Sequence, residues 1–189
     1  MIAWSVERIA QALVTDVPGA VAPFTTVGTD TRALVPGALF VALRGERFDG
    51  HAFLAAARDA GATGAVVLDG TPDVEGLLLF RVPDTLAALG RLATARRRTI
   101  AGPVVAITGT NGKTATKELT ARALGPAWTV HATRANLNNE IGVPLTILEA
   151  PAETEALVVE AGASVPGEIA RLRRVIEPTA AIVTNVAEG

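Results

Sequence analysis

The chain has 189 residues, 49% of them hydrophobic, with no cysteine, two histidines and a net charge of −2. Those figures exclude disulfides, thiol catalysis, cysteine-bound zinc and a histidine-rich metal centre, and they argue against broad electrostatic binding of nucleic acid. Glu7 and Arg8 interrupt the N-terminus, which therefore lacks a signal-peptide core, and no apolar run is long enough to span a bilayer. A cytoplasmic setting is permitted, and no membrane insertion is expected.

Val6, Ile9, Ala10 and Leu13 recur at helical spacing, which predicts a helix over 5–14 with Ser5 as its N-cap. Pro18-Gly19 and Pro23 break the chain beyond that helix. A short strand is expected within 24–30 and a stronger one over 38–43, followed by the polar loop 44–50. A helix over 52–60 stops at Gly61. Residues 64–68 and 77–82 read as strands, and Asp84 caps a helix running to about Arg98. The arginines 96–98 read as a solvated helix end, where cations suit the dipole. Residues 99–103, with Gly102-Pro103, read as a joint between a unit over 1–100 and a second over 101–189.

Beyond that joint, strand and helix alternate. Strands are predicted at 103–107, 128–132, 156–160 and 180–186, and helices at 115–124 and 167–176, with 136–144 read as a polar segment. The alternation predicts α/β architecture with a mainly parallel sheet covered on both faces. The second unit ends just after a strand, so the sheet is expected to be unfinished and the chain to be a fragment.

The stretch Thr108-Gly109-Thr110-Asn111-Gly112-Lys113-Thr114 carries the most chemistry. It lies between a strand and a helix, where glycines turn backbone N–H groups inward and the helix N-terminus adds positive potential. Lys113 supplies a full charge for the β- and γ-phosphates, and the Thr114 hydroxyl suits Mg²⁺. The common P-loop asks for glycine where Ile107 stands, so this is a shorter loop. A tight turn with an incidental lysine is disfavoured, because strand, glycine spacing, Lys-Thr and helix all agree.

Glu160 closes a strand on the edge where parallel sheets bind ligands, and could share a Mg²⁺ ion with the phosphates; a solvated strand end is the alternative. Asn136, Asn138 and Asn139 offer uncharged amides suited to a sugar or peptide, or else simple turn and cap chemistry. Arg32 could fork onto a phosphate, and Arg47 and Phe48 could grip a base, although surface loops explain them about equally well. His51 reads as a hydrogen-bonder at a helix start rather than a catalyst.

The runs "TDTRALVPGALFVALRGERFDGHAF", "AITGTNGKTATKEL", "ANLNNEIGVPLTIL", "VVEAGASVPGEIARL" and "PTAAIVTNVAEG" together resemble the Mur ligase family, ATP-dependent amide ligases of peptidoglycan synthesis. The likeness covers nearly the whole chain. It implies a small N-terminal α/β domain that binds the UDP-sugar, over 1–100, and the first part of a P-loop-type ATP-binding domain, over 101–189. Gly109, Thr110, Asn111, Gly112, Lys113, Thr114 and Ala115 would hold ATP, and Thr114 and Glu160 would hold Mg²⁺. Lys113 and Glu160 would be the catalytic pair. Thr31, Arg47, Phe48 and, more weakly, Arg32 would lie near the uridine diphosphate, and Asn136 and Asn138 near the muramoyl or reacting end.

The asparagine run and the Gly-Glu-Ile-Ala stretch point, within the family, to the branch that joins D-alanyl-D-alanine to UDP-N-acetylmuramoyl-tripeptide through an acyl phosphate. The sister that adds the third peptide residue usually carries Thr-Thr-Pro where Asn136–Asn139 stand. A folylpolyglutamate synthetase and a non-catalytic nucleotide-binding module are the other readings. The family's adenine contacts, a carbamylated lysine and an amino-acid-binding domain would lie beyond residue 189. The chain is thus expected to be inactive alone, and the full-length protein to act as a monomer.

Overall fold

A computed structural model describes residues 3–45 and 48–186. The chain forms two compact units, Met1–Leu92 and Ala93–Gly189, and the division falls inside a helix, α3 (Thr85–Arg97).

In the first unit, helix α1 (Val6–Leu13) begins at Ser5, whose side chain accepts a hydrogen bond from the Arg8 N–H. Its buried face is Val6, Ile9, Ala10 and Leu13. Burying the Val, Ile and Leu side chains contributes about 1.5–3 kcal/mol each. Four strands come next, β1 (Val27–Gly28), β2 (Leu39–Val41), β3 (Gly64–Leu68) and β4 (Leu78–Val82), all parallel and adjacent in chain order. Between β2 and β3 lie a 3-10 turn at Gly50–Phe53 and α2 (Leu54–Asp59). Side chains alternate across the sheet. Phe40, Ala42, Ala65, Val67 and Leu79 pack with Leu54 and Ala57 of α2. Leu39, Val41, Val66 and Phe80 are equally buried on the other face, where Phe80 meets Phe24 edge-on at 5.9 Å.

The second unit holds β5 (Val104–Thr108), β6 (Val130–Ala132), β7 (Ala156–Glu160) and β8 (Ala180–Val183) in the parallel order β6-β7-β5-β8. Helices α4 (Lys113–Leu124), α5 (Gly142–Leu148) and α6 (Glu168–Ile176) connect them. Val104, Ala106, Leu157 and Val159 face Val143 and Ile147 of α5 and Leu172 and Ile176 of α6. Val105, Ile107 and Val158 face Ala121 and Leu124 of α4 on the opposite side. Glu160 has the parity of Val158, and it pairs in register with Ile107, the residue before the Thr108–Gly112 turn. Because β5 feeds a helix on one face and β7 a helix on the other, their C-terminal ends flank the crevice in which open α/β sheets bind ligands.

Several expectations change in detail. The strand expected within 24–30 shrinks to Val27–Gly28, because Phe24 instead makes an antiparallel bridge with Trp4. The Trp128 N–H still bonds to the Leu124 carbonyl, which delays β6 to Val130. The polar segment expected over 136–144 leads into helix α5, which Pro144 would ordinarily stop. Here Pro144 stands in the first turn, where its missing N–H leaves no hydrogen bond unmade. Asn139 caps that helix, its Oδ1 accepting from the N–H groups of Ile141 and Gly142.

Of the arginine cluster only Arg98 is exposed as a solvated helix end would be. Arg96 is 1% exposed and donates to the carbonyls of Ala150 and Pro151 and to the Thr99 hydroxyl. Arg97 donates to the carbonyls of Ile176 and Glu177, closing the C-terminus of α6, and Arg98 pairs with the Glu177 carboxylate. Long guanidinium forks bind helix-end carbonyls that would otherwise lack donors.

Candidate nucleotide site

Helix α4 starts directly after Gly112, whose φ of +80° suits glycine and which makes no side-chain cap hydrogen bond. A helix begun this way leaves its first N–H groups without intrahelical acceptors. Among the described residues, the N–H groups of Gly112, Lys113, Thr114 and Ala115 find no other acceptor either. Uncapped amides at a helix N-terminus, with a lysine beside them, have the chemistry to take a polyanion. The Lys113 ammonium donates to the carbonyls of Gly109 (2.7 Å) and Thr110 (3.1 Å). Two of its three N–H donors are used in this way, and the third is left for a phosphate oxygen.

The Thr114 hydroxyl donates to Glu160 Oε2 at 3.0 Å, and the Asn138 amide donates to Glu160 Oε1 at the same distance. Glu160 is 3% exposed. Its backbone N–H bonds to the Thr133 hydroxyl at 2.9 Å, and the carbonyl of Thr133 accepts from the buried Lys117 ammonium at 2.7 Å. No ion pair involves Glu160 among the described residues. A buried carboxylate with only neutral donors is poorly compensated and has the chemistry to take a cation. One carboxylate and one hydroxyl suit Mg²⁺, which fills its remaining positions with phosphate oxygens and water.

A separate cleft of about 530 Å³ lies in the first unit, lined among others by Thr31, Arg32, Phe40, Phe48 and Phe53. Phe48 and Phe53 stack with centroids 4.9 Å apart and both are exposed, a platform for a flat ring. Arg32 forks onto Asp30 through Nε (2.9 Å) and Nη2 (2.6 Å). That guanidinium holds the Asp30 carboxyl down to about 2. Arg32 is thus paired with Asp30 through two of its five N–H donors, and the other three are left for a phosphate. His51 links elements: Nδ1 lies 2.6 Å from Asp49 Oδ1, while Nε2 accepts the Leu68 N–H at 2.9 Å. With Nε2 as acceptor, Nδ1 carries the proton, and the ring sits at the start of a 3-10 turn.

The fold therefore brings together Gly109, Thr110, Asn111, Gly112, Lys113, Thr114, Ala115, Asn138 and Glu160. Asn136 is exposed, and among the described residues only its carbonyl is engaged, by the Asn138 N–H. Thr31 and Phe48 line the first-unit cleft, and Arg47 lies outside the described residues. Sequence reasoning missed Thr133 and Lys117 beneath Glu160, and Thr184 and Asn185 against the phosphate loop. The last two fall inside the strand expected over 180–186, whereas β8 ends at Val183 and frees both for the loop.

Comparison with known proteins gives the family. Residues 23–97 match the Mur ligase family catalytic domain, and residues 107–189 match the Mur ligase middle domain. A Bacillus subtilis protein named UDP-N-acetylmuramoyl-tripeptide–D-alanyl-D-alanine ligase is 44% identical over 86% of the chain, and an Escherichia coli protein of the same name is 42% identical over 99%. The chain spans 36% and 41% of the length of these two relatives. The solved UDP-N-acetylmuramoylalanyl-D-glutamyl-2,6-diaminopimelate–D-alanyl-D-alanyl ligase of Acinetobacter baumannii superposes with a TM-score of 0.90 and 34% identity, covering the whole chain and 43% of that structure. The Thermotoga maritima MurF ligase, solved with ADP, superposes over 85% of the chain and 37% of its own, with a TM-score of 0.76 and 35% identity. On sequence and structure alike, the chain belongs to the Mur ligase family.

Proposed function

We propose that the chain is the UDP-sugar- and ATP-binding part of a cytoplasmic ligase that joins D-alanyl-D-alanine to UDP-N-acetylmuramoyl-tripeptide. One observation carries this reading: a lysine, uncapped helix amides, a threonine hydroxyl and a buried unpaired carboxylate meet where β5 and β7 end. The names of relatives at 42–44% identity support the substrates, and the ADP-bound neighbour supports the nucleotide.

On this reading, residues 1–100 hold the UDP-sugar, with Thr31, Arg32 and Phe48 at the uridine diphosphate, while Asn136 and Asn138 serve the muramoyl or reacting end. Residues 101–189 hold ATP. The substrate carboxylate attacks the γ-phosphorus, a C–O–P linkage forms, and the bond to the ADP oxygen breaks. The amine of D-alanyl-D-alanine then adds to the acyl carbon, and phosphate leaves the tetrahedral intermediate. Phosphoryl transfer of this kind depends on positioning and charge neutralisation. The amides of Gly112–Ala115 fix the phosphate chain, and Lys113 offsets charge that grows toward the β–γ bridge. Thr114 and Glu160 would hold Mg²⁺, which neutralises β- and γ-oxygens when bound. Asn138 keeps the Glu160 carboxylate turned toward Thr114.

The test is ADP release by the protein that carries this chain. Release should require both the UDP-muramoyl tripeptide and D-alanyl-D-alanine, and should vanish in Lys113→Ala. Equal release with a diamino acid in place of the dipeptide would assign the chain to the sister ligase, and unchanged release by Lys113→Ala would reject the site.

A further inference from the structure

The residues just after β8 hold one half of the phosphate loop. The Thr110 N–H donates to the Asn185 carbonyl (3.1 Å) and the Asn111 N–H to Asn185 Oδ1 (2.9 Å). The Thr184 hydroxyl donates to the Asn111 carbonyl at 2.6 Å, and the Thr184 N–H continues the ladder to the Thr108 carbonyl at 2.9 Å. Asn111 is thus gripped at both its N–H and its carbonyl, although it is exposed and belongs to no regular element. Gly109 lies beneath the same segment at φ +132°; a Cβ there would collide with Thr184 Oγ1 and lie 2.8 Å from the Asn185 carbonyl. The loop therefore divides. The N–H groups of Thr110 and Asn111 are taken by Asn185, whereas those of Gly109 and of Gly112–Ala115 have no acceptor among the described residues.

We propose that Thr184 and Asn185 are positioning residues for nucleotide binding, a clamp that sets the loop before the ligand arrives. This role rests on the nucleotide-binding reading of the same site. The Lys113 ammonium is carried by the carbonyls of Gly109 and Thr110, and Thr110 is itself tied to Asn185. The clamp therefore fixes both the amides and the lysine. Without it, part of the binding free energy is spent on ordering the loop. Neither clamp residue needs to touch the ligand for this to operate.

The test is titration of the protein that carries this chain with MgATP, with amide hydrogen exchange as a second readout. The parent protein should bind. Thr184→Val, which keeps shape and removes the hydroxyl, and Asn185→Ala should each bind about tenfold more weakly with little change in thermal midpoint. Thr184→Ser should bind like the parent. Without ligand, the Asn111 amide should be protected in the parent, and Asn185→Ala should exchange it at least about tenfold faster while β5 amides are unchanged. Parent-like affinity in both Thr184→Val and Asn185→Ala overturns the clamp and leaves the nucleotide site standing. Parent-like exchange of the Asn111 amide in Asn185→Ala also overturns it. A parent protein that does not bind MgATP overturns the clamp and the nucleotide-binding reading together.

Discussion

Replacing Glu160 by Gln separates a structural carboxylate from a metal-holding one. In the parent, Glu160 is 3% exposed and accepts one hydrogen bond from Asn138 and one from Thr114, each 3.0 Å long. Hydrogen bonds to an ionised group contribute about 1.5–3 kcal/mol each, against about 0.5–1.5 for neutral ones, so Gln loses about 2–3 kcal/mol over the two. Dehydrating an ionised carboxylate costs several kcal/mol, and the neutral amide removes that cost. The glutamine can still accept from Asn138 while its amide donates to the Thr114 oxygen. The two changes nearly cancel, and Glu160→Gln should unfold in urea within about 1 kcal/mol of the parent or above it. Glu160→Ala leaves the Asn138 amide without its acceptor and should lose about 1–3 kcal/mol.

Ligand binding should move the other way. At millimolar Mg²⁺, Glu160→Gln should weaken ATP binding by calorimetry at least about 10–100-fold, the loss usual when only a partner that orients a metal ligand is removed. With EDTA and no metal, the same variant should bind ATP as well as the parent or better, because a negative charge facing the phosphates is gone. Equal MgATP affinity in parent and Glu160→Gln, alongside a loss in Lys113→Ala, would refute the assignment of Glu160 to the metal.

Three further outcomes are expected. Phe48→Ala removes half of the stacked pair in the first-unit cleft and should weaken UDP binding by about 1–3 kcal/mol in a titration, while leaving MgATP binding unchanged. Asn139→Ala should cost about 1 kcal/mol in urea unfolding through loss of the α5 cap, and Asn139→Asp should keep most of it. Burial holds the His131 pKa below its ordinary value, and its Nε2 lies 2.9 Å from the Thr146 carbonyl. The unfolded chain therefore takes up a proton first. The neutral ring's contribution is complete above the unfolded pKa of about 6.5 and is lost as pH falls through the lower folded pKa. The thermal midpoint should fall between pH 7.5 and 5 in the parent, and this part of the slope should disappear in His131→Gln.

The local elements were legible because each is written in a short window. The spacing of Val6, Ile9, Ala10 and Leu13 specifies α1, and 64–68 and 156–160 are bounded as strands by the residues themselves. Lys113, Thr114 and Glu160 were legible for a related reason, since strand ends and helix starts are where parallel sheets present chemistry. Helix α5 was not, because the meaning of Pro144 depends on whether it falls in the first turn or later. The arginines at 96–98 look like any cationic helix end until the carbonyls of 150–151 and 176–177 are known to lie beside them.

Residue order by itself determined the α/β alternation, the phosphate-loop turn and the family. Only tertiary structure decided that Asn138 and Thr114 share one carboxylate, that Lys117 and Thr133 support it, and that Thr184 and Asn185 hold the loop. These contacts join residues 16 to 74 positions apart, and they depend on the order β6-β7-β5-β8. Periodicity and turn chemistry act over a few residues, whereas strand order is set by which hydrophobic faces the whole chain can bury at once.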